Sequence, residues 1–105
     1  MPTYMYRFGF ESPLQARNNE RYGWDDEDSQ AVLIDANDEE AALAWGQAVS
    51  EQFIRLLYRD ESVIWRDLFA NWIEPPGESW PGEQRIRVGE FPDFASWLRP
   101  YEGEA

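Results

Sequence analysis

Hydrophobic and polar positions change period along this chain, and the changes divide it into elements. Residues 37–58, NDEEAALAWGQAVSEQFIRLLY, carry the longest helical pattern. At 100° per residue, Ala41, Ala42, Trp45, Ala48, Val49, Phe53, Leu56 and Leu57 form one broad apolar stripe, with Gln47, Glu51, Arg55 and Tyr58 opposite. Leu43 and Ile54 lie off the stripe, on the flank beyond Leu57, either touching a second element or exposed. Asn37 reads as the N-cap, with Glu40 three residues on as in a capping box. Asp38, Glu39 and Glu40 put negative charge at the positive end of the helix dipole, and Arg55 and Arg59 put positive charge at the other. Gly46 inside a helix costs about 1 kcal/mol relative to alanine. Beside Trp45 it marks close backbone approach, or room for the indole.

Strand patterns flank the helix. Residues 3–11 alternate, with Tyr4, Tyr6, Phe8 and Phe10 on one side and Met5, Arg7 and Gly9 on the other. Residues 30–36, QAVLIDA, form a nearly continuous apolar run that suits a central strand under the helix. Residues 61–74 fit two patterns. Ile64, Trp65, Leu68, Phe69, Trp72 and Ile73 make a helical stripe. The abundance of Val, Ile, Trp and Phe fits a strand, and a three-stranded sheet covers two apolar helices poorly, so the segment is assigned as the third strand. Residues 85–90, RIRVGE, read as a short last strand. Residues 91–98 place Phe91, Phe94, Trp97 and Leu98 at helical spacing, with Asp93 near the start and Pro100 as a stop.

Two connections remain. Residues 12–29 make a linker of 18 residues, with at most a helical turn near 14–17, and linkers this long are commonly functional. Residues 75–84 are a turn-rich loop holding Trp80. The expected architecture is a single α+β domain over 1–105: two layers, β-β-α-β-β, a mainly antiparallel sheet with one long helix on one face and a short C-terminal helix. If the first two strands form a hairpin, element directions place the 12–29 linker and the C-terminal helix at the same end of the sheet.

Composition narrows the chemistry. The 21 acids against 9 bases give a formal charge of −12, and every base is arginine. Such a charge opposes binding to nucleic-acid phosphates or anionic lipid and favours a basic protein partner. An apolar fraction of 43% with six tryptophans supplies a packed core. The absence of Cys and His removes disulfides, thiolate chemistry and the commonest general base and metal ligand. Without lysine or histidine, none of the serines has a ready activating base. Carboxylate pairs capable of acid–base work abound by chance among so many acids. No run approaches the roughly 18 apolar residues of a membrane span, and no signal-peptide pattern opens the chain. A cytoplasmic location is therefore expected, with no cofactor and no metal. The acidic run 25–28 fails the EF-hand pattern, since its sixth and twelfth positions counted from Asp26 are Ala31 and Asn37.

What remains is a binding surface. Trp24 is followed directly by Asp25, Asp26, Glu27 and Asp28, and an aromatic rimmed by carboxylates suits an Arg- or Lys-bearing partner. Trp24, Asp25, Asp26, Asp28 and the loop residue Trp80 are the candidate partner-binding residues, the alternative for the two tryptophans being anchors that pin their loops to the core. The functional expectation is a small acidic protein-binding module, an adaptor, inhibitor or neutralising partner of a basic protein, without catalysis of its own. Two alternatives stand beside it. One is a small-ligand-binding or carboxylate-based enzymatic domain, with a cleft on the open sheet face lined by Arg7, Arg66, Arg85 or Arg87. The other is a DNA-mimic inhibitor whose carboxylates stand in for phosphates.

Overall fold

The computed structural model describes residues 1–65, 69–74 and 83–103. It shows a mixed α+β fold: β1 (Thr3–Phe10), α1 (Pro13–Tyr22), β2 (Asp28–Asp35), α2 (Glu39–Tyr58), β3 (Asn71–Glu74), β4 (Gln84–Arg87) and α3 (Phe94–Leu98), closed by a 3-10 turn at Arg99–Tyr101. The sheet order is β3-β1-β2-β4. β1 pairs antiparallel with β2 and with β3, while β4 runs parallel to β2.

The alternation in β1 sets the layers. Tyr6 faces its neighbours Val32 and Ile73, and Ile34 faces Ile86, so these side chains share one sheet face. On that face Tyr6, Phe8 and Phe10 are fully buried, with Val49, Phe53 and Trp97 above them. Phe8 is the hub: its ring lies 5.6–5.9 Å from those of Tyr6, Phe10, Phe53, Trp65 and Trp97. The pairs with Phe53 and Trp65 are edge-to-face, a geometry that adds to simple area burial.

The long helix sits on this face, rotated from the expected stripe. Its buried positions are Ala42, Gly46, Val49, Ser50, Phe53 and Ile54, whereas Trp45 is half-buried and Leu56 is 39% exposed. Tyr6 explains the rotation. A Cβ on Gly46 would stand 2.7 Å from Tyr6 Cδ1, so the helix backbone rests directly on the ring. The Ser50 hydroxyl shares a 3.0 Å hydrogen bond with the Tyr6 hydroxyl and bonds the Gly46 carbonyl at 2.8 Å. A polar ring edge thus draws small and polar positions inward that hydropathy alone assigns to the flank. The N-cap is Asp38, not Asn37, its carboxylate accepting from the Ala41 amide at 2.8 Å. At the other end Arg59 adopts φ 54°, and the Asp60 amide donates to the Arg55 carbonyl at 3.0 Å, a left-handed helix stop of the kind glycine usually makes.

Three further assignments change. The 12–29 linker holds a ten-residue helix, α1. Among the described residues of 61–74, only Asn71–Glu74 are strand; 61–65 form a turn and irregular chain, and 66–68 lie outside the described residues. β4 is parallel to β2 and not a hairpin partner of β3, so the C-terminal segment starts at the opposite end from α1. There the Trp45 indole N–H donates to the Glu90 carbonyl at 2.7 Å. The segment then runs back over the core through Trp97 until the Tyr101 hydroxyl donates to Asp28 at 2.7 Å, at the α1 end.

Candidate functional site

α1 begins with strong local signals and ends with an aromatic pair in solvent. The Ser12 hydroxyl accepts from the Gln15 amide at 3.2 Å, the Gln15 side chain accepts from the Ser12 amide at 2.9 Å, and Pro13 occupies the first helical position. This reciprocal box and the fixed φ of proline start the helix without an apolar stripe. Gly23 stops it at φ 70°, donating its amide to the Asn19 carbonyl at 2.9 Å. The Asn19 side chain then binds Asp26 from both sides, giving 2.9 Å to its carbonyl and accepting 3.0 Å from its amide. These two bonds fold residues 23–26 back against the last turn of α1 and fix the shape of the tip.

No residue of α1 is buried. At its end the Tyr22 and Trp24 rings stack, with centroids 4.7 Å apart and planes at 28°, and the Arg21 guanidinium lies 5.3 Å from the Tyr22 ring centre. Both aromatics are 52% exposed. Trp24 is therefore no core anchor; it packs on its neighbour and faces water. Every residue from Glu20 to Glu27 is exposed, so the acids Glu20, Asp25, Asp26 and Glu27 stand in solvent within three residues of the stacked pair along the chain.

The other predicted site residues divide. Asp28 belongs to β2, is half-buried and is engaged by the Tyr101 hydroxyl, which ties it to the C-terminal turn. Trp80 lies outside the described residues. Tyr22 was missed by sequence reasoning, although the spacing Tyr22-Gly23-Trp24 held the clue: a left-handed glycine between two aromatics can bring their rings together.

The sheet face away from α2 carries the arginines of the ligand-cleft alternative. Arg7 pairs with Glu74 at 3.3 Å and Arg85 with Asp35 at 3.0 Å, while Arg66 lies outside the described residues. Asp35 is held below the usual carboxylate range first by the Thr3 hydroxyl, then by Arg85. Burial pushes the Glu83 carboxyl up, partly offset by Arg7. At the centre of this face Met5 is fully buried and Ala31 nearly so. Among the described residues no helix is long and apolar enough to cross a membrane, and no three carboxylates gather as metal ligands. Comparisons of this chain with protein-family models, with curated proteins and with solved structures find no match.

Proposed function

We propose that this protein is an acidic binding module whose α1 tip engages a basic protein partner. The observation that carries the reading is the Tyr22–Trp24 stack. Two large aromatics stand half in water at the end of a helix none of whose residues is fully buried, so core packing does not account for them. Exposed acids flank them along the chain, and the chain bears a net charge of −12. Arg21 over Tyr22 supports the type of contact, since a guanidinium from the same chain already lies against the pair.

Aromatics and acids would then divide the work. The acids accelerate encounter and make it salt-dependent, each exposed pair adding about 0–1 kcal/mol. The aromatics, desolvated in the complex, slow dissociation. Affinity capture from the source cell over a salt series tests this. Wild type should retain a set of basic proteins that elute as salt rises. Tyr22→Ala/Trp24→Ala should lose them at every salt, and Asp25→Asn/Asp26→Asn should lose them at lower salt than wild type. Undiminished capture by a folded Tyr22→Ala/Trp24→Ala variant would place the working surface elsewhere.

A further inference from the structure

A second feature lies at the C-terminal end of α2 and does not depend on the tip. Arg59, the residue that stops the helix, stands at φ 54° and ψ 40°. Among the described residues it is the one residue other than glycine with positive φ. A side chain is strained in this left-handed region, and glycine fills most stops of this kind. Strain of this sort points to a use for the residue that bears it. What arginine brings and glycine lacks is a guanidinium.

That side chain lines a pocket of about 220 Å³ together with Leu56, Leu57, Leu98, Tyr101 and Glu102. The space exceeds the roughly 150 Å³ of an apolar cavity that takes benzene. Three leucines make its walls apolar, and Leu56 is 39% exposed there. The Tyr101 wall is fixed: its hydroxyl donates to Asp28 at 2.7 Å, and its ring meets Phe10 edge-on with centroids 5.8 Å apart. Arg59 and Glu102 bring one charge of each sign to the same pocket. Among the described residues neither forms an ion pair, with the other or with a third group.

We propose that this pocket binds a free aliphatic α-amino acid of leucine's size, its carboxylate at Arg59, its ammonium at Glu102 and its side chain among Leu56, Leu57 and Leu98. Charge decides between this ligand and simpler ones. A carboxylate alone meets Arg59 but is opposed by Glu102 and by the net charge of −12. An alkylammonium alone meets Glu102 but is opposed by Arg59. A zwitterion answers both groups and carries no net charge. A peptide terminus presents only one of the two charges and fits less well for the same reason.

The test follows the methyl resonances of Leu56 and Leu98 in the full chain during titration with L-leucine. Two analogues of leucine each lack one charge, isocaproate the ammonium and isopentylammonium the carboxylate, and glycine lacks the side chain. Leucine should bind about fivefold more tightly than either analogue, the upper range for an exposed ion pair, and glycine should bind most weakly. Arg59→Gly suits the left-handed stop, so the fold should hold while leucine binding falls to the level of isopentylammonium. Glu102→Gln should bring leucine down to the affinity of isocaproate. Equal binding of leucine and either analogue, undiminished leucine binding by Arg59→Gly, or no response to leucine overturns the proposal. The wild-type ranking decides whatever either substitution does to stability.

Discussion

The two longer helices are built from similar local signals and serve opposite ends. α1 opens with a capping box and a proline and stops at a left-handed glycine; α2 opens with an aspartate cap and stops at a left-handed arginine. α2 buries six residues and α1 none. Ten residues are too few for a helix to be stable alone in water, so α1 depends on its caps, the Asn19–Asp26 bonds and its attachment to two long strands. The difference teaches that capping chemistry fixes where a helix starts and stops, whereas burial fixes what it is for.

The largest expected effect lies in α2. Val49→Asp places an unpaired charge where exposure is zero and should destabilise by more than about 4 kcal/mol, so that circular dichroism shows no cooperative transition. A soluble variant with an unchanged melting temperature would contradict the orientation of the helix. Gly46→Ala comes next. In an ordinary helix the change adds about 1 kcal/mol of stability, but overlap with the Tyr6 ring should reverse the sign and cost about 1–3 kcal/mol in denaturant melts.

Acid should act on the sheet edge to a lesser degree. The folded pKa of Asp35 lies below its unfolded value of about 3.9, so its contribution is present above that pH and is lost as pH falls through the folded value. Stability should therefore decline below about pH 4, and Asp35→Asn should flatten that decline while lowering stability at neutral pH. The smallest effect belongs to the tip. Tyr22→Ala/Trp24→Ala should change the stability measured in denaturant melts by no more than about 0.5 kcal/mol, as for surface changes generally. A large loss would mean that α1 is bound to the core after all, and the contrast between the helices would fail.

Legibility followed burial. The β1 alternation, the apolar run of β2 and the long helix were plain, because each repeats a period against one core face. α1 was reduced to a turn because Leu14, Ala16 and Tyr22 form no stripe, although Ser12-Pro13-Leu14-Gln15 is itself a capping signature. Residues 61–74 were ambiguous for a different reason. Both periods fit the same residues, and β1 imposes extended structure only on the four that pair with it. At the candidate site, Trp24 with the acids Asp25 and Asp26 stood out in the sequence, while the partnership with Tyr22 and the tie of Asp28 to Tyr101 did not.

The sequence by itself determined the α+β class, the long helix, the aromatic core strand and the acidic charge, since each depends on local period or simple counting. The tertiary structure alone decided the parallel placement of β4, the rotation of α2 and the exposure of Trp24. The first two rest on contacts between distant residues, Ile34 with Ile86 and Tyr6 with Gly46 and Ser50, and the third on a helix none of whose residues is buried. Periodicity states that a face is apolar; only the partner it meets sets how far the face turns and which aromatic is left in water.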